Sequence, residues 1–229
     1  MQVLRPLRRR ASLWLLVLLM PVLHGCFDIE EEITFQRDGS GLYRITVDMT
    51  DLVSLIENMT GSAESGSRQE FFYKMDSTMQ AMAETLRSTP GISEVVRTHE
   101  QARYTISYRF EHIAALNAAA SANTVPAAAP TAFSPAYAWN GRQLTRVEAP
   151  MRAVLDAGES DEATLQMART IFTDATYRIV YHLPGKVRKI TNSQARIGSD
   201  RTSVTLDLGF VDLLEGTTNV GNTITFRNR

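Results

Sequence analysis

The chain of 229 residues sets 24 lysines and arginines against 25 aspartates and glutamates, a net charge of −1, and this balance excludes the clustered positive surface that a nucleic-acid partner requires. Its single cysteine excludes an internal disulfide framework, while a hydrophobic content of 44% suffices for a packed core. A metal site would have to draw on four scattered histidines, none at a zinc-binding spacing.

The N-terminus reads as a processing segment. "RPLRRR" supplies four arginines, "ASLWLLVLLMPVL" a short apolar core, and Gly25 a small residue directly before Cys26. That order is a secretory signal peptide, too short and too broken by Pro21 to span a membrane comfortably. Leu23, His24, Gly25 and Cys26 resemble the lipobox of bacterial lipoproteins, with His24 where a small residue is usual. The resemblance implies cleavage between Gly25 and Cys26, lipidation of the Cys26 thiol, and stable membrane anchoring through two or three acyl chains such as palmitate. The alternative is an ordinary signal peptide with a chance cysteine. Removing residues 1–25 from 229 leaves 204 residues, and losing the four arginines takes the net charge from −1 to −5. Residues 26–229 are expected to form a single domain.

The cluster Asp28, Glu30, Glu31 and Glu32 opens the mature chain. Alternation predicts a strand with Ile29, Ile33 and Phe35 inward and the acids outward. The cluster also resembles the surface-export signal of Bacteroidetes-type lipoproteins, and Phe27 is not the aspartate of inner-membrane retention. Both resemblances imply a cell-envelope location at the outer membrane, facing the periplasm or the surface.

"FQRDGSGLY" predicts a hairpin turning at Asp38 and Gly39, followed by a strand placing Tyr43, Ile45, Val47 and Met49 on one face. A helix bearing Leu52, Leu55, Ile56 and Met59 follows, then a flexible small-residue loop near 60–67. Ser67 and Glu70 have capping-box spacing, and Phe72, Met75, Met79, Met82 and Leu86 mark the longest helix, ended by "STPG". "YRITVDMTDLVSL" from Tyr43 and "YTISYRFEHIAAL" from Tyr104 superpose at an offset of 61, with a fainter copy from Val204. Each copy is a strand that runs into a short helix, whether by duplication or by chance. An Ala/Pro-rich loop is expected near 118–135, then a hairpin at Asn140 and Gly141, a helix starting near Ser160 or Asp161, a strand pair through "YRIVYHLPGKV", and a final strand in "NTITFRNR". The fold class is α+β: an antiparallel sheet of repeated hairpin–helix units with helices on one face.

Few residues of the chain form a pattern that chemistry would need. His99, His112 and His182 are scattered, with His182 at a strand end. No GxSxG elbow is present, "GSG" at Gly39–Gly41 is explained by a hairpin, and "DAGESDE" from Asp156 is out of register with a calcium loop. Asp48 and Asp51 flank Thr50 as helix-capping groups. The reading is therefore of a protein without catalytic residues, metal or cofactor.

"DGSGLYRITVDM" and "YRIVYHLPGKVRKITNSQARIGSDRTSVTLDL" are similar to a lipoprotein domain of the LppM type, with Pro184, Gly185, Asn192, Asp200 and Val204 matching its pattern. The usual late tryptophan is replaced by Leu206 or Leu208. The resemblance implies an envelope domain with a lipid-binding cavity. From the residues themselves, Phe72, Met75, Met79 and Met82 are expected to face Tyr43, Ile45, Tyr104 and Ile106 between sheet and long helix, either around an apolar cavity or as a plain core with methionine as filler. Thioethers adapt to varied apolar shapes, and tyrosine rings wall a cleft while their hydroxyls reach water. Expected partners are the membrane through the anchor and either a lipid or an envelope protein. The alternatives are a docking module without ligand and, less favoured, an envelope hydrolase.

Overall fold

The computed structural model describes residues 27–53, 65–122, 136–147, 166, 169–170 and 172–228. The lipobox, the "DAGESDE" segment, residues 54–64 and residues 123–135 lie outside this set.

Alternating apolar side chains form strands β1 (Asp28–Phe35) and β2 (Gly41–Asp48), joined by the expected hairpin. Gly39 adopts φ +87°, a conformation that costs residues with a Cβ, and Asp38 accepts bonds from the Ser40 amide and hydroxyl at 3.0 and 2.7 Å. Asp48 accepts from the Thr50 amide at 3.1 Å, and Thr50 to Val53 are helical; the rest of the expected helix falls outside the described residues.

Helix α1 (Ser65–Ser88) is rich in straight-chain residues that lose little rotamer freedom in a helix. It begins two residues before the expected Ser67 cap and stops before Thr89-Pro90-Gly91, where Gly91 takes φ +78°. Strands β3 (Ile92–Glu100) and β4 (Arg103–Phe110) follow, and α2 (Ile113–Ala122) opens with the Ala115 amide donating to His112 Nδ1 at 3.0 Å. Residues Ala118 to Ala122, expected in a loop, are therefore helical: alanine is the best helix former, and Ala119 is fully buried. Strands β5 (Ala136–Trp139) and β6 (Gln143–Val147) form the second hairpin, with Gly141 at φ +80° and Asn140 Oδ1 accepting from the Arg142 amide.

Downstream come β7 (Thr176–His182), β8 (Gly185–Ile190), β9 (Arg196–Ile197), β10 (Ser203–Gly209), α3 (Phe210–Glu215) and β11 (Asn222–Asn228). The expected pairing of β7 with β8 is not formed. At Leu183-Pro184 the chain leaves one sheet for another, because proline supplies no ladder donor. The seven-stranded sheet runs β3-β4-β2-β1-β7-β10-β9 and the four-stranded sheet β5-β6-β11-β8.

The fold is α+β with mostly antiparallel strands, but β1 pairs in parallel with β7, an arrangement the expected all-antiparallel sheet did not contain. The inner face of the large sheet is shared. Helix α1 packs along β3 and β4, and the small sheet packs nearer β1, where Trp139 stacks on Phe35 with ring centroids 5.2 Å apart. Helices alone thus do not cover the face. The two similar segments become antiparallel neighbours: Tyr43 lies opposite Tyr108, Ile45 opposite Ile106, and Val47 opposite Tyr104. Among the described residues no helix is long and apolar enough to cross a membrane.

Candidate functional site

Along β1, Glu31 shares parity with Ile29, Ile33 and Phe35, so the pleat turns its carboxylate inward. The expectation that all the acids face outward fails here: Glu31 is 1% exposed, whereas Glu30 and Glu32 lie on the opposite face. A buried charge requires a partner. Arg146 on β6 supplies it, Nη1 lying 2.7 Å from Glu31 Oε2, and is itself 2% exposed. Tyr177 Oη donates to Glu31 Oε2 at 2.6 Å and Tyr137 Oη to Oε1 at 2.9 Å. Arg146 also donates to Tyr181 Oη at 3.4 Å and Tyr177 Oη at 3.2 Å.

Burial pushes the Glu31 carboxyl up, but the Arg146 charge and the bonds from Tyr177, Arg146 and Tyr137 outweigh it and hold the group below the usual carboxylate range. Burial raises Tyr137 and Tyr43 well above the usual phenol range, and the Glu31 charge adds to this. Glu31 is therefore an enclosed, ionised clasp between the two sheets. General acid or base work needs reach to a substrate and proton affinity near the working pH, and this group has neither.

Of the residues expected to line a lipid cavity, Tyr43 lies near the clasp and Tyr104 near the Asp76–Arg97 ion pair. Met79, Tyr104 and Ile106 are buried, and Phe72, Met75, Met82, Tyr43 and Ile45 are half-buried against the same core. All eight belong to, or pack against, the one hydrophobic core, which extends across both sheets. Tyr43 and Tyr104 stand at different levels of it: Tyr43 stacks on Tyr108, with centroids 4.9 Å apart, and Tyr104 stacks on His99 at 4.2 Å. Tyr104 is 1% exposed, and its hydroxyl has no hydrogen-bond partner among the described residues. Such an orphan donor costs roughly 1–3 kcal/mol.

No protein-family model matches the chain, and no curated protein matches it. Among solved structures it is similar to the NMR structure of the folded domain of Mycobacterium tuberculosis LppM, over 92% of this chain and 95% of that one, at 13% identity and a TM-score of 0.45. No residue role is carried across at this identity.

Of the residues that matched the LppM-type pattern, Pro184, Gly185, Asn192 and Asp200 lie at turns and passages, and Val204 lies in the core. Pro184-Gly185 marks the passage between sheets. Asn192 Nδ2 donates to the Asn219 and Gly221 carbonyls, Asp200 accepts from the Thr202 amide, and Val204 is buried in β10.

The histidines also have local roles. His182 Nε2 lies 2.9 Å from Glu32 Oε1, and His112 caps α2. Among the described residues no group of three or more His, Cys, Asp or Glu side chains is placed to hold a metal.

Two features escaped the sequence reading. Arg146 is an exposed-type residue at the inward parity it shares with Leu144, and that shared parity is its only sequence signal. The second is a concavity of about 430 Å³ on the outer sheet face, where Thr46, Thr98, Thr105 and Ser107 lie between Arg44 and Arg103. Polar alternation predicts a solvated face of this kind, and only strand order places these hydroxyls side by side.

Proposed function

We propose that the mature chain is a lipid-anchored cell-envelope module that binds a ligand without transforming it, and that the ligand is an acyl chain held between α1 and the inner sheet face. The unpartnered, buried Tyr104 hydroxyl carries this reading. The Tyr104 ring stacks on His99 and its oxygen lies within the field of the Asp76–Arg97 ion pair, while Phe72, Met75 and Met82 are half-buried against the same core, so an acceptor on a bound lipid would meet a donor left unmet among the described residues. Adaptable thioethers suit a ligand with no fixed shape. The signal segment and lipobox-like residues ending at Cys26 support an outer-membrane lipoprotein in periplasmic or surface orientation.

A soluble form beginning at Phe27 removes the protein's own acyl chains, and native mass spectrometry of it should show bound lipid. Met79→Trp should displace that lipid while the fold persists; in a close-packed layer the substitution would instead cost roughly 1–3 kcal/mol and displace nothing. Fatty-acid labelling lost in Cys26→Ala tests the anchor.

A second reading, docking of an envelope protein without a ligand, is favoured by β3. It is an edge strand whose Val96 is 52% exposed, a geometry open to strand addition. Absence of lipid in the native spectrum, with an envelope protein retained at β3, would select it.

A further inference from the structure

Lipid anchors commonly leave slack between membrane and body, and the length of that slack decides what can lie between them. Here Phe27 follows Cys26 directly, and Phe27 is already part of the packed fold. Its carbonyl accepts the Thr176 amide at 3.1 Å, and its ring lies 5.5 Å from Phe172 and 5.7 Å from Phe210, which are themselves 5.3 Å apart. One Cα-to-Cα step of about 3.8 Å therefore separates the packed body from the cysteine.

The three rings sit where β1 and β7 begin and β10 ends, and all three are half-buried. Beside them α3 presents half-buried Val211 and Leu214. An aromatic and aliphatic cluster at the point where the chain leaves for its anchor is suited to the headgroup boundary.

We propose that this end of the large sheet, with Phe27, Phe172 and Phe210 at the contact, is seated directly on the bilayer because no linker separates it from the acylated Cys26. The proposal rests on the lipid-anchor reading. The occupant is the bilayer and not a protein, since a one-residue tether leaves no space for a partner between body and membrane.

The test uses the acylated mature protein in phosphatidylcholine vesicles whose acyl chains carry bromine, a quencher of tryptophan emission. Trp139 is the natural control. It stacks on Phe35 at the far end of β1, about 25 Å from Phe27, and should stay unquenched. Phe210→Trp should add a strongly quenched component, with Leu214→Trp as a second probe if the first perturbs folding. A flexible Gly/Ser spacer inserted between Cys26 and Phe27 lets the body leave the surface and should reduce that quenching at least about twofold. Quenching absent in both probes, or unchanged by the spacer, overturns the seating. The mass of the N-terminal peptide separates the two readings: an unacylated Cys26 overturns the anchor itself, whereas an acylated Cys26 with unquenched probes overturns the seating alone.

Discussion

Glu31 and Arg146 are 115 residues apart in the chain, yet their carboxylate and guanidinium meet at 2.7 Å in the space between the two sheets. Removing one partner of a buried pair strands the other charge, so Glu31→Leu and Arg146→Met are each expected to cost about 3–5 kcal/mol. The double change to Glu31→Leu with Arg146→Met strands no charge and should cost less than either single change. Urea unfolding of all three variants gives the coupling energy, and additive losses would show that the pair does not join the sheets.

Acid should release this clasp. The folded Glu31 carboxyl lies below its ordinary value of 4.5, so its stabilisation is present above that value and is lost as pH falls through the folded pKa. Wild-type stability should therefore decline below about pH 4.5, and Glu31→Gln, lower at neutral pH, should decline less steeply. Denaturant midpoints across this range check the sign.

Alkali acts on the same region from the other side. Burial raises Tyr43, Tyr108 and Tyr137 above the ordinary phenol value of 10.0. Their contribution is complete below that value and falls as pH rises above it toward the folded values. Absorbance titration should show delayed, cooperative ionisation of these phenols, coincident with loss of near-ultraviolet circular dichroism. Independent titration near 10 would contradict their burial.

Tyr104→Phe isolates the orphan hydroxyl. In lipid-free protein it removes an unmet donor and should raise stability by about 1 kcal/mol, while lipid retention in the native spectrum falls. A lowered melting temperature in the lipid-free variant would mean that the hydroxyl already has a partner.

Gly39→Ala tests the first turn. Its φ of +87° disfavours a side chain, and an added Cβ would lie 2.8 Å from Trp139 Cδ1. A loss of roughly 1–3 kcal/mol is expected by thermal unfolding, and a neutral result would imply that the Trp139 ring moves freely.

Local chemistry made much of this protein readable in one dimension. Asp38-Gly39 and Asn140-Gly141 turn the chain because side-chain acceptors and positive φ act within four residues, and alternation along β1 assigns each side chain to a face. That same alternation placed Glu31 inward, but its charge suggested water, and only a distant partner could make burial tolerable. The methionine stripe of α1 was likewise evident, since helical periodicity is local. Strand order is not local. Tyr181 and Val187 are close in sequence, yet they fall in different sheets, and β1 pairs in parallel with β7, about 148 residues downstream at Asp28 and Thr176. Tertiary packing decided which inward polar residues would meet, because an ion pair, a phenol cluster and an unmet hydroxyl are properties of distances between elements, and no single segment carries those distances.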